Sequence, residues 1–415
     1  MKIRNFILYG LSVGLNRGIV FFLLPLAGYF LSKDDFGTFS LVIITSQLLI
    51  PLLTFNVSIV IAREFLDQKD MLNKYASYIF VLLILMAMLS ILFGSGYKSF
   101  FILIVSESLL MVTITRARFF LGVNVFFLAT VLKAIIFSLL FFCVYIYFEH
   151  HLHNINVFCL MLIVSNTAAI LFILTKDQFI NFTTGFKFSQ LCSFFRENKR
   201  FFYFGILLIP HGLSQWIMSS SDRYIIKIFF NNLTLGEYSL AYAYASLFML
   251  FISVLAITLP EYCIRQYNSY LNKKILLMFI GAMSSVYVIV FIVIYIFVLQ
   301  YINFNNTEVN IFCLIYSSLF YLVMYHYCAA FHFYHKKSGF ITKTTLLASI
   351  FSVIITMAFA WKGSIIGIAF STHCSYLLYF LLIRRGVNIV NVNIIIYVVL
   401  ISFIPLLIRY IHVIS

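Results

Sequence analysis

The chain has 415 residues, of which 63% are hydrophobic and only 10% charged, and its mean hydropathy is +1.05. A water-soluble domain runs at about 45–50% apolar and about 25% charged, so composition excludes a soluble globular protein. A transmembrane β-barrel is excluded too: barrel strands are about 10 residues long and alternate in polarity, whereas 79-IFVLLILMAMLSILF-93 and 286-VYVIVFIVIYIFVL-299 are solid apolar runs.

A helix needs about 20 apolar residues to cross the hydrocarbon core. On that length, spans are predicted at 6–30, 37–62, 75–94, 100–121, 124–147 and 157–175. A second set is predicted at 201–230, 237–262, 276–300, 309–333, 341–361 and 364–383, and a last run, 391–408, makes a thirteenth. The first run follows Lys2 and Arg4 as in a signal peptide, but it is too long for an h-region and lacks a small-x-small cleavage site. It is therefore read as a retained helix. The reading is an all-α polytopic membrane protein: a six-helix bundle over 1–175, a basic linker over 176–200, a second six-helix bundle over 201–385, and an extra helix within 386–415.

Loop charge orients these spans. The formal net charge is +15, from 28 Lys and Arg against 13 Asp and Glu. The N-terminus and the loops after even-numbered spans hold 20 of the basic residues, among them Arg63, Lys69, Lys74, Arg196, Lys199, Arg200, Lys273 and Lys274. The opposite side holds four: Lys33, Lys98, Lys362 and Arg409. Basic loops stay cytoplasmic, so the N-terminus is expected inside, and the positive excess needs no nucleic-acid partner. The longest loop, 176–200, is cytoplasmic in this scheme, and no extracytoplasmic loop reaches 15 residues.

The two halves repeat. An offset of 199 lays 36-FGTFSLV-42 on 235-LGEYSLA-241, with Gly37/Gly236, Ser40/Ser239 and Leu41/Leu240 identical. Four of the five prolines (Pro25, Pro51, Pro210, Pro260) fall in the first two helices of a half, where each removes a hydrogen bond and favours a kink. Six is even, so both halves enter from the same side as parallel repeats, an arrangement used by alternating-access transporters.

Six charges fall inside spans: Arg17, Glu107, Lys133, Asp222, Arg223 and Lys227. Each costs about 2.5–3.5 kcal/mol at the bilayer centre, so most must face a polar interior. Arg17 sits beside Asn16 in the first helix, and Glu107 between Ser106 and Ser108 in the fourth. Lys133 has no polar stripe near it, and Lys227 is close enough to a span end to snorkel. The seventh helix, 210-PHGLSQWIMSSSDRYIIKIFF-230, puts His211, Gln215, Ser219 and Asp222 on one face, with Arg223 and Lys227 beside them. Such a face either locks the two halves through a buried pair of Asp222 with an Arg or forms a substrate or ion site. On the second reading Arg17, Lys133 and Arg223, with Asn16 and Gln215, meet an anionic group, because guanidinium grips phosphate in bidentate fashion. Asp222 and Glu107 then serve a coupling H+ or Na+.

Gly10, Gly14 and Gly18 form a GxxxGxxxG run that permits close helix packing. The seven cysteines are scattered without a CxxC, and His150, His151 and His153 lack a second ligand cluster, so neither a metal nor a cofactor is expected.

The segment 221-SDRYIIKIFFNNLTLGEYSLAYAYA-245, the opening RNFILYGLSVGLNRGIVFFLLPLAGYFLSKDDFGTFSLV and 363-GSIIGIAFSTHCSYLL-378 resemble the bacterial lipid-linked oligosaccharide flippases. These are the Wzx-type O-antigen transporters of the multidrug/oligosaccharidyl-lipid/polysaccharide superfamily. The resemblance implies a MATE-like pair of six-helix bundles in the bacterial inner membrane, with a cationic central cavity that passes an undecaprenyl-pyrophosphate-linked repeat unit; it implies coupling to an ion gradient and no enzyme activity. Asp222 and Arg223 stand at a family-like Asp-Arg pair. Implied partners are the lipid-linked oligosaccharide, membrane lipid, the coupling ion, and a polysaccharide polymerase with its chain-length regulator. The thirteenth run departs from the commonest twelve-helix pattern. Two other functions fit a polytopic chain. A drug/cation antiporter of the same fold calls for an acidic, aromatic cavity, against the four-to-two excess of embedded cations here. A membrane polysaccharide polymerase calls for a large extracytoplasmic loop, and the loops are short.

Overall fold

The computed structural model describes residues 3–64, 69–90, 95–147, 154–176, 199–207, 209–302, 304–335 and 337–414. His150, His151, His153 and nearly all of the 176–200 linker lie outside the described residues. Among the described residues every regular element is a helix. Ten helical stretches are long and apolar enough to cross a membrane, and the chain is a multi-pass membrane protein.

The first part of the chain forms α1 (Ile3–Phe30), α2 (Lys33–Leu53), α3 (Val57–Glu64), α4 (Lys69–Ser90), α5 (Ser95–Arg116), α6 (Val123–Tyr147) and α7 (Ile155–Lys176). Then come α8 (Lys199–Leu207), α9 (Ile209–Phe229), α10 (Asn232–Ala245), α11 (Met249–Arg265) and the short α12 (Tyr267–Tyr270). The last are α13 (Lys273–Phe297), α14 (Asn306–Tyr334), α15 (Ser338–Trp361), α16 (Ile365–Ile383), α17 (Val392–Ser402) and α18 (Ile404–Ile414).

Local chemistry sets many of the ends. Asn231, Asn272, Ser364 and Asn391 cap α10, α13, α16 and α17 by accepting a backbone N–H one turn on. Asn305 and Glu308 form a reciprocal capping box at the start of α14. Among the described residues, two predicted spans are interrupted by a non-helical turn. In 37–62 the chain leaves helix after Pro51, and Phe55 and Asn56 take φ of 48° and 51°. That left-handed pair is held by the Asn56 Nδ2 donating to the Gly205 carbonyl at 3.0 Å. In 391–408 the break falls at Phe403, because Pro405 has no N–H to continue the ladder.

The chain divides into two compact units. One comprises Met1–Ile19 and Leu41–Leu213; the other comprises Val20–Ser40 and Ser214–Ser415. The end of α1 and the start of α2 thus pack with the second unit, although they come early in the sequence. In the first unit α5 and α6 both lie against α7, and α4 against α5. In the second unit α14 is the central helix, surrounded by α10, α11, α16, α17 and α18, with α15 outside α16. Buried tyrosines pair here through their hydroxyls, as suits polar groups in hydrocarbon. Tyr270 and Tyr327 each donate to the other's carbonyl, the latter at 2.6 Å.

Inside the second unit the repeat-related segments meet directly. A Cβ on Gly37 would lie 3.0 Å from the Asn232 carbonyl oxygen, and a Cβ on Gly236 would lie 1.8 Å from that of Lys33. Lys33 and Asn232 are themselves repeat mates under the same 199-residue offset. The crossing of α2 and α10 is therefore reciprocal, as at a two-fold contact. Gly14 differs: a Cβ there meets nothing within 4 Å among the described residues. So at Gly14 the GxxxGxxxG run brings no close helix contact.

Candidate functional site

The embedded charges predicted from depth form two clusters, one in each unit. In the first unit Lys133 on α6 is buried at 4% exposure, and its Nζ donates to Asn16 Oδ1 of α1 at 3.3 Å. Glu107 on α5 is the carboxylate that attracts Lys133, and the Ser46 side chain of α2 hydrogen-bonds Glu107. Next to it Ser106 accepts from Asn166 Nδ2 of α7 at 3.2 Å. Five helices thus supply one polar patch that sequence spacing alone could not assemble. The Arg17 side chain lies outside the described residues, while its backbone is part of α1.

The second cluster sits on α9. Asp222 and Arg223 are each buried at 4% exposure. Asp222 Oδ2 accepts from the Tyr238 hydroxyl of α10 at 2.6 Å, and Oδ1 accepts from the backbone N–H of Arg223 at 2.8 Å. The Arg223 guanidinium lies 3.8 Å from the centre of the Tyr242 ring and donates to the Ser219 carbonyl at 3.1 Å. Its Nε is 3.8 Å from Asp222 Oδ1. Tyr238 also reaches Thr372, and Tyr242 reaches Tyr376, both on α16. About two turns back on α9, Gln215 meets Tyr325 and Tyr379, whose rings stack with centroids 4.0 Å apart.

This arrangement has a chemical consequence. A carboxylate, a guanidinium and three phenols are gathered where water is scarce, so each added or removed charge is strongly felt. The Asp222–Arg223 pair is bonded within the second unit, to tyrosines of α10 that in turn reach α16. Lys227 is exposed and hydrogen-bonded to Asn232, as suits a lysine near a helix end. His332 Nε2 donates to the Ile383 carbonyl at 2.8 Å and ties α14 to α16.

The sequence reading missed the tyrosines. Their signal was present: Tyr238 and Tyr242 are four apart on α10, and Tyr376 and Tyr379 three apart on α16, so each pair shares a helix face. It also missed an ion-pair group. Lys33 Nζ is 2.7 Å from Glu308 and 3.2 Å from Glu237, and Asn305 Nδ2 donates to Glu237 at 3.2 Å. Lys33, Glu237 and Glu308 lie at the ends of α2, α10 and α14, next to the Gly37–Gly236 crossing.

Solved structures with this helix order are known. The lipid II flippase MurJ in its inward closed conformation aligns with a TM-score of 0.62 and 13% identity, over 98% of this chain and 93% of its own. An inward-facing multidrug resistance MATE family transporter of the MOP superfamily aligns with a TM-score of 0.55 and 14% identity, over 92% of this chain and 94% of its own. MATE in the straight conformation gives 0.55 and 14%, over 93% and 95%. The fold is MATE- and MurJ-like. No protein-family model matches the sequence, and no curated protein matches it.

Proposed function

We propose that this chain is a flippase. It moves undecaprenyl-pyrophosphate-linked oligosaccharide repeat units of an O-antigen or capsule from the cytoplasmic to the periplasmic leaflet of a bacterial inner membrane, with its N-terminus in the cytoplasm. The observation that carries this reading is the sign of the embedded charge: with Lys227 exposed at a helix end, Arg17, Lys133 and Arg223 still outnumber Glu107 and Asp222. An anionic headgroup is the substrate that such a balance favours. Lys133, Asn16 and Arg17 in the first unit, and Arg223 and Gln215 in the second, are the groups offered to the pyrophosphate and the first sugars. Asp222 and Glu107 take the coupling H+ or Na+, and the phenols around Asp222 orient its carboxylate. Ion binding drives the cycle only through different affinity for its two states. The fold shared with MurJ supports the flippase reading at the level of architecture.

The rival reading is a drug/cation antiporter. It is favoured by one observation: aromatic rings crowd the buried carboxylate Asp222, a setting that suits an organic cation. A deletion strain separates the two. With the gene removed, the flippase reading expects surface glycan to vanish and undecaprenyl-linked units to accumulate inside. Re-expressed Lys133→Ala, Asp222→Ala and Arg223→Ala at matched levels fail to restore it. Intact surface glycan with increased sensitivity to cationic drugs rejects the flippase reading.

A further inference from the structure

The last helix carries a charge that neither cluster uses. Arg409 on α18 is 9% exposed. Its Nε donates to Asn310 Oδ1 at 3.2 Å and its Nη2 donates to Asn306 Oδ1 at 2.8 Å; both asparagines are in the first two turns of α14. The Tyr295 hydroxyl of α13 also lies against it. Amide oxygens aim a guanidinium but do not neutralise it. Among the described residues no carboxylate pairs with Arg409. Glu308, the nearest acidic residue along α14, is occupied: one oxygen faces Lys33 at 2.7 Å and the other accepts the Asn305 N–H at 2.8 Å.

A cavity of about 480 Å3 opens beside this guanidinium, lined by Asn306, Asn310, Leu406, Arg409, Tyr410 and Val413. Arg has five N–H donors. Two go to the asparagines and at most one to Tyr295, so at least two remain for a ligand. Part of the lining is apolar and open outward: Tyr410 and Val413 are more than half exposed, as are Leu407 and Ile411 beside them, on a helix that belongs to a candidate membrane span. A ligand here meets a fixed cation at one end and hydrocarbon at the other.

We propose that Arg409, oriented by Asn306 and Asn310, binds the phosphate of a membrane phospholipid at the end of the bilayer where α14 begins. A lipid phosphate supplies the anion that the protein withholds, with a short bidentate contact that guanidinium is shaped for. The apolar wall continues into the acyl region, which a free phosphate ion would leave unused. Through α14 the site links the thirteenth run to the central helix of the second unit. It is independent of the transported substrate, so it stands or falls apart from the flippase reading.

The test is native mass spectrometry of the full chain released from detergent. The probes are phosphatidylglycerol, diacylglycerol and inorganic phosphate, with Arg409→Gln and Arg409→Lys as variants and thermal melting recorded for each. The expected result is retention of phosphatidylglycerol by the wild type, with diacylglycerol and inorganic phosphate bound at least about tenfold more weakly, since a charge-assisted bond of this kind is worth about a factor of ten or more. Arg409→Gln loses phosphatidylglycerol by about tenfold, and Arg409→Lys retains part of it. Equal retention in wild type and Arg409→Gln overturns the proposal, whether or not the variant melts lower, because Arg409 then only fastens α18 to α14. Equal binding of inorganic phosphate overturns it too, in favour of a free-anion site.

Discussion

Replacing Gly236 by alanine tests the α2–α10 crossing at a single atom. The added Cβ would lie 1.8 Å from the Lys33 carbonyl oxygen and 2.5 Å from its carbon. An ordinary carbon–oxygen contact is about 3.3 Å or longer, so the two helices must part by roughly 1.5 Å. Both obstructing atoms are backbone, and neither can rotate away. Overpacking of this kind costs about 1–3 kcal/mol, and alanine returns about 1 kcal/mol of helix propensity. The net expectation is a loss of about 1–2 kcal/mol, read as a melting temperature lower by a few degrees in detergent. The parting also stretches the 2.7 Å Lys33–Glu308 pair. Gly37→Ala, its repeat mate, needs a shift of only a few tenths of an ångström from contacts at 3.0 Å and is expected to be nearly neutral. Gly212→Ala and Gly281→Ala meet nothing within 4 Å and are expected to be neutral or stabilising. If Gly236→Ala melts at or above the wild type, the close crossing is wrong.

Other expected outcomes follow from the two clusters and the ion-pair group. Tyr238→Phe removes the 2.6 Å donor to Asp222 and costs about 1–3 kcal/mol. Adding Asp222→Asn to it costs less than in the wild type, and a double-mutant cycle with no coupling would refute the bond. Lys33→Met leaves Glu308, 1% exposed, without its cation and lowers the melting temperature; Glu308→Gln in the same background recovers most of the loss. Lys133→Gln can still hydrogen-bond Asn16, so it is expected to keep normal protein levels yet fail to restore surface glycan; full restoration would remove Lys133 from the substrate path.

Much of the fold was legible because bilayer length and backbone hydrogen bonding leave helices few alternatives. Among the described residues the predicted spans lie mostly in helix, ten stretches are long and apolar enough to cross a membrane, and the turns inside 37–62 and 391–408 fall beside Pro51 and Pro405, which the apolar pattern alone does not interrupt. Packing was less legible. Val20–Ser40 joins the second unit, and nothing in hydropathy says which neighbours a helix chooses. The site was half visible. Asp222 and Arg223 stood out because charge in lipid is costly. Tyr238, Tyr242 and Tyr376 did not, because tyrosine is common here, with 27 in the chain, and only the fold selects the three that face the pair. Glu237 and Glu308 carried no signal in the sequence, because only the folded helix ends bring both carboxylates to Lys33.

The central claim is transport of a lipid-linked anionic headgroup, and purified protein in vesicles tests it most directly. Undecaprenyl-pyrophosphate oligosaccharide is loaded into both leaflets, and the fraction reaching the far side is read with a membrane-impermeant glycan-modifying enzyme under an imposed H+ or Na+ gradient. The account predicts gradient-stimulated movement that Asp222→Asn and Lys133→Gln abolish in folded protein. Movement no faster than in protein-free vesicles, with gradient-driven exchange of an organic cation instead, would contradict it.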